Sequence, residues 1–114
     1  MCAAVTTIKA SPDYQRIARQ GLKWHGPAFI MQTLKKDDGA PFRLGLTASR
    51  RVGNAVVRNR AKRRLREMVR LYVQKFSLSG FDLVLIARTA AATHDFAMMS
   101  ADFEKGLKAM KVTA

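Results

Sequence analysis

Acidic side chains are scarce in this sequence: eight Asp and Glu stand against 21 Lys and Arg in 114 residues, a formal charge of +13. Such a balance selects polyanions as partners, and it leaves too few carboxylates for a two-metal nuclease, which gathers several acids around its ions. Cysteine is nearly absent, so Cys2 can form neither a disulfide within the chain nor a zinc cluster. His25 and His94 are each alone, without the convergent donors that a metal site needs. No run of about 18 apolar residues exists to cross a membrane. The start MCAAVTTIKA lacks the basic and apolar regions of a secretory signal, and a cytoplasmic location is expected. Ser, His and Asp occur, but no nucleophile elbow does. A binding role is expected in place of catalysis by the chain itself, and its length suits one domain over residues 1–114.

The cations that are present are concentrated. Between Arg50 and Arg70 lie Arg50, Arg51, Arg58, Arg60, Lys62, Arg63, Arg64, Arg66 and Arg70, with Glu67 as the one acid. Val57, Ala61, Leu65, Met68, Tyr72 and Phe76 recur at steps of three and four, which predicts a helix with one apolar stripe against a core. Asn59, Lys62, Arg66 and Arg70 then fall on one flank, and Arg60, Arg63 and Arg64 on the other flank and outer face. Asn54 is expected to cap the first turn, and Gly53 to allow the sharp exit from the preceding strand. Free amides at that helix start, with Arg50 and Arg51 beside them, would form a phosphate seat. An ordinary solvated helix face is a poor alternative, because Glu67 cannot neutralise all of these cations.

The remainder of the chain reads as short alternating elements. Ser11-Pro12-Asp13 opens a first helix, with Ser11 as N-cap and Gly21 as the stop, and Tyr14, Ile17 and Ala18 share one side of it. Strands are predicted at 28–36, 42–49 and 81–87, with a further strand edge near Lys23. Asp37-Asp38-Gly39 reads as a hairpin tip between the first two strands, a simpler account of the paired acids than magnesium. A last helix is predicted from about Ser100 to Met110, with Phe103, Leu107 and Met110 on one side. The order is helix, strand, strand, helix, strand, helix: an α/β sandwich with helices packed on one sheet.

The run from Leu44 to Glu67, with TASRR followed by VGNAVVRNRAKRRLRE, resembles the signature of the bacterial ribonuclease P protein subunit, and Arg58-Asn59-Arg60 is similar to that family's RNR motif. Weaker likeness extends from Asp13–Gly21 through Phe81–Arg88 to the last helix. The resemblance implies an αβββαβα order with a left-handed crossover through the basic helix, similar to a ribosomal-protein fold; the usual hand of a parallel crossover is the opposite. It also implies a role as accessory subunit of an endoribonuclease whose RNA carries the chemistry. That RNA uses Mg2+, bound mainly by itself, to remove the 5′ leader of precursor tRNA.

Two surfaces would then work separately. Arg50, Arg51, Asn54, Arg58, Asn59, Arg60, Lys62, Arg63, Arg64 and Arg66 would meet the ribonuclease P RNA. Tyr14, Ala18, Ile30 and Gln32 would line a groove for the leader, with Ala18 and Gln32 standing where related chains often carry aromatics. No membrane and no protein partner are expected. A ribosomal-type structural RNA-binding protein without a leader groove is the main alternative. A DNA-binding module is disfavoured, since no second helix lies close in sequence as in helix-turn-helix proteins.

Overall fold

The computed structural model describes residues 6–8, 11–36, 41–76 and 78–110. Their elements are β1 (Thr6–Thr7), α1 (Ser11–Gln20), β2 (Leu22–His25), β3 (Phe29–Lys35), β4 (Arg43–Ala48), α2 (Ala55–Lys75), β5 (Phe81–Ala87) and α3 (Phe96–Ala109). Short 3₁₀ turns follow β4 at Arg50–Val52 and β5 at Thr89–Ala92. The expected order is present, with β1 added in front. The hairpin tip at Asp37-Asp38-Gly39 and the thiol of Cys2 lie outside the described residues.

One sheet runs in the order β1-β4-β5-β3-β2. The apolar run FDLVLIA of β5 suits its central place, parallel to β4 on one side and antiparallel to β3 on the other. Alternation along the strands sends Leu44, Leu83, Leu85, Phe29 and Met31 to the face covered by α2 and α3. Val84, Ile86 and Leu34 turn to the opposite face, where Ile8 and Ile17 complete a smaller apolar cluster under α1.

Local chemistry explains the boundaries of α2. The Asn54 side chain accepts from Val57 N at 3.0 Å, closing the first turn as its position before the apolar stripe predicts. Gly53 has φ 151°, a region side chains rarely adopt, and a Cβ there would come within 2.9 Å of Val57. Ala61, Leu65 and Met68 are buried as expected, but the stripe bends at its C-terminal end. Val69 and Val73 take the core positions while Phe76 is 51% exposed, because the helix ends there and the core lies beneath the preceding turn.

Two other boundaries differ from the sequence reading. Ser11 is the first helical residue of α1 and not the residue before it. α3 begins a turn earlier than Ser100, at Phe96, because the Asp95 carboxylate accepts from Met98 N at 3.0 Å and caps it.

One ion network pins the sheet to α1. Asp82 is fully buried within β5, where Arg43 Nε and Nη2 donate to its two oxygens at 3.0 and 2.7 Å. Lys36 Nζ stands 2.7 Å from Oδ1, and Arg43 Nη1 reaches on to Asp13 at 3.4 Å. Burial alone would push the Asp82 carboxyl up, but the hydrogen bonds from Arg43 and Lys36 outweigh it and hold the group below the usual carboxylate range. Reciprocally, the bond to Asp82 raises the Arg43 guanidinium against the opposing effect of burial.

Candidate nucleic-acid interface

The site is built where β1 ends. β1 pairs with β4 at Arg43 and Leu44, and Ile8 N still donates to Leu44 O at 2.9 Å; beyond that point no strand among the described residues neighbours the outer edge of β4. Tyr14, on α1, fills part of that space. Its hydroxyl donates to Ile8 O at 3.0 Å, and its ring lies so close on Gly45 that a Cβ there would meet it at 2.7 Å. Glycine at position 45 is therefore what lets the ring approach the strand this closely.

From the other side of the sheet, α2 brings Lys62 and Arg66 to the same edge. Thr7, Tyr14, Leu44, Leu46, Lys62 and Arg66 together line a cleft of about 130 Å³. The two surfaces that the sequence presents as separate thus meet in one cleft, with an aromatic ring on one wall and two cations on the other. Thr7, Leu44 and Leu46 join it without any signal in the sequence, since their placement depends on where β1 stops.

The remaining basic residues divide by environment. Arg50, Arg51, Arg60, Arg63 and Arg66 are exposed, Arg58 and Lys62 are half-buried, and Asn54 and Asn59 are exposed beside them. Glu67 is hydrogen-bonded to Arg70, which lowers the carboxyl from its ordinary value and ties Arg70 to a counter-charge.

Arg64 is set apart from this open array. Its guanidinium donates to Ala91 O at 2.7 Å and to His94 O, and it sits 6.0 Å from the Phe96 ring centre. It fastens the 3₁₀ turn after β5 onto α2, a use that helical spacing cannot reveal.

On the α1 face, Ala18 lies half-buried one helical turn from Tyr14, and Ile30 is half-buried on β3. Gln32 is 7% exposed, so it offers little surface to a ligand and belongs to the floor beneath α1. A larger recess of about 390 Å³ lies elsewhere, between the C-terminal half of α2 and α3, walled by Met68, Leu71, Tyr72, Phe76 and Phe103. Its lining includes Lys75 and Glu104 but no cluster of cations, so charge and not size chooses the site.

The profile of the family described as Ribonuclease P matches residues 3–111. The chain belongs to the ribonuclease P protein family. It is 41% identical over 101 residues to the ribonuclease P protein component of Gluconacetobacter diazotrophicus, covering 89% of this chain and 87% of that protein. With the corresponding protein of Symbiobacterium thermophilum it shares 43% identity over 89 residues, covering 78% of this chain and 76% of the other. Among solved structures, the Staphylococcus aureus RNase P protein superposes with a TM-score of 0.78 at 32% identity, over 97% of this chain and 100% of that one. The Thermotoga maritima RNase P protein does so at 0.72 and 27% identity, over 95% and 97%. This mixed α/β fold is therefore that of ribonuclease P proteins.

Among the described residues no group of three or more His, Cys, Asp or Glu side chains converges as a metal cage. Asp13, Glu67 and Asp82 each face arginine or lysine partners instead. No helix among these residues is long and apolar enough to cross a membrane.

Proposed function

We propose that this chain is the protein subunit of ribonuclease P, binding the catalytic RNA through α2 and the 5′ leader of precursor tRNA in the groove between α1 and the open sheet face. In this reading it assists Mg2+-dependent removal of the leader during tRNA maturation in the cytoplasm. The observation that carries the proposal is the cleft in which Tyr14 faces Lys62 and Arg66. A ring that can stack on any base, opposite cations that can take any phosphate, suits a single strand of variable sequence.

The outer cations assist by neutralising phosphates of the RNA, releasing its counterions and fixing its orientation without reading sequence. Arg50, Arg51, Arg58, Arg60 and Arg63, with Asn54 and Asn59, are assigned to that contact. Arg64 acts indirectly, by holding the turn at Thr89–Ala92 in place. Tyr14, Ala18 and Ile30 are assigned to the leader, with Gln32 as buried support. Mg2+ is assigned to the RNA, since the described side chains do not fit a magnesium site and no step is drawn through them.

The test is reconstitution with a bacterial ribonuclease P RNA. Precursor cleavage at low magnesium should require the protein, and Tyr14→Ala should weaken precursor binding by about 1 kcal/mol, the low end for one stacked base, with mature tRNA affinity unchanged. Equal weakening for both RNAs, in a folded variant, would return the chain to the reading of a general structural RNA binder.

A further inference from the structure

Three of the four groove positions offer no stacking plane, since Ala18 and Ile30 have no ring and Gln32 is buried. The part of the α1 face beyond Tyr14 supplies two planes in their place. By strand register, His25, Ile30, Ile86 and Thr47 form one row across β2, β3, β5 and β4. Ile30, Ile86 and Thr47 are half-buried and uncharged and form the floor, and His25 is exposed at its end. Trp24 packs toward Phe29 and Gly106 on the helix-covered side, so the two-residue period of the strand turns His25 to the open face.

Arg88 closes the same end. Its backbone N–H donates to Ala28 O at 2.9 Å and its Nη1 to Gly26 O at 3.3 Å, which lays the guanidinium against the turn that follows His25. The residue is exposed, and its other side-chain donors make no hydrogen bond among the described residues. Neither His25 nor Arg88 fills a core position or joins an ion pair among those residues.

We infer that His25 and Arg88 form the second end of the groove and bind a base and phosphate of the same single strand that Tyr14, Lys62 and Arg66 hold at the first end. Imidazole rings and guanidinium planes both stack on unpaired bases, and a guanidinium can also grip a phosphate with two parallel bonds. Three strand spacings of about 4.8 Å separate β4 under Tyr14 from β2, so the two ends stand roughly 14 Å apart. That is too far for a single nucleotide to touch both. This inference rests on the proposal that the groove holds the leader.

The experiment uses the complex assembled with ribonuclease P RNA and a series of precursor tRNAs whose leaders grow one nucleotide at a time from none. Tyr14→Ala and the double variant His25→Ala/Arg88→Gln are each compared with the unaltered protein, after circular dichroism and melting show that both are folded. The double variant is expected to lose about tenfold in affinity for the longest leader and nothing for mature tRNA. Its curve should part from the unaltered one at a different leader length from that of Tyr14→Ala, because the two ends hold different nucleotides. Leader dependence for Tyr14→Ala with none for the double variant would overturn this inference alone. Absence of leader dependence in both would overturn the groove reading and this inference with it.

Discussion

Replacing Asp82 with Asn tests whether the ion network under α1 holds the fold and the groove together. The carboxylate is fully buried and takes hydrogen bonds from Arg43 at 3.0 and 2.7 Å, with Lys36 2.7 Å away. Asn keeps the shape but removes the counter-charge of Lys36 and leaves Arg43 only its longer contact to Asp13. Breaking a buried pair by removing one partner costs about 3 to 5 kcal/mol. The Arg43 and Lys36 side chains are 25% and 21% exposed, so water recovers part of that loss. The expected cost is therefore about 3 kcal/mol, at the lower end of the range.

Urea denaturation followed by circular dichroism measures this directly. A loss below about 1 kcal/mol, the size of an ordinary surface change, would refute the assignment. The pH dependence supplies a second reading of the same network. Because the folded state holds the Asp82 carboxyl low, its stabilisation is present above the unfolded value near 3.9 and is lost as pH falls through the lower, folded value. The gap between unaltered protein and Asp82→Asn should stay constant near neutrality and narrow below about pH 4. Arg43 also reaches Asp13, the neighbour of Tyr14, so the variant should discriminate less well between precursor and mature tRNA at temperatures where it remains folded.

Other variants separate packing from binding on α2. Arg58→Ala/Arg60→Ala should leave stability within about 1 kcal/mol while flattening the salt dependence of RNA binding by about one unit per lost phosphate contact, read from affinities across a salt series. Leu65→Ala should cost about 2 to 5 kcal/mol in denaturant unfolding, because the side chain is wholly buried. Arg64→Ala should cost about 1.5 to 3 kcal/mol through its two carbonyl contacts, whereas Arg63→Ala one position earlier should change stability by no more than about 0.5 kcal/mol.

Short-range chemistry was the legible part of this protein. The apolar steps of α2, the Asn54 cap, the Gly53 exit and the run of β5 each state their structure within a few residues. Positions whose role depends on distant partners were not legible. Arg64 has the helical spacing of a surface cation, but its acceptors lie beyond β5. Asp82 sits in an apolar run with nothing nearby to announce Arg43 or Lys36. Asp95 was a readable cap signal before α3, and the stronger periodicity from Ser100 onward obscured it. For the site, residue types were legible, and the meeting of Tyr14 with Lys62 and Arg66 was not. It depends on β1 ending after Thr7, with no other strand among the described residues along the edge of β4.

The central place of β5 has a consequence for how the chain assembles. β5 is last of the five strands in sequence, yet it stands between β4 and β3, and its contact with β4 joins residues 39 apart at Arg43 and Asp82. Among the described residues only β2 and β3 form a pair of close sequence neighbours. As the chain leaves the ribosome from its N-terminus, β3 and β4 must therefore wait without the strand that will join them, while α2 can already wind from its own local bonds. Closing such distant pairs costs loop entropy before any contact repays it, so sheet formation should set the folding rate. The groove is the last thing to exist: its floor includes Ile86, and neither side of that floor is continuous until residues 81–87 have taken their place.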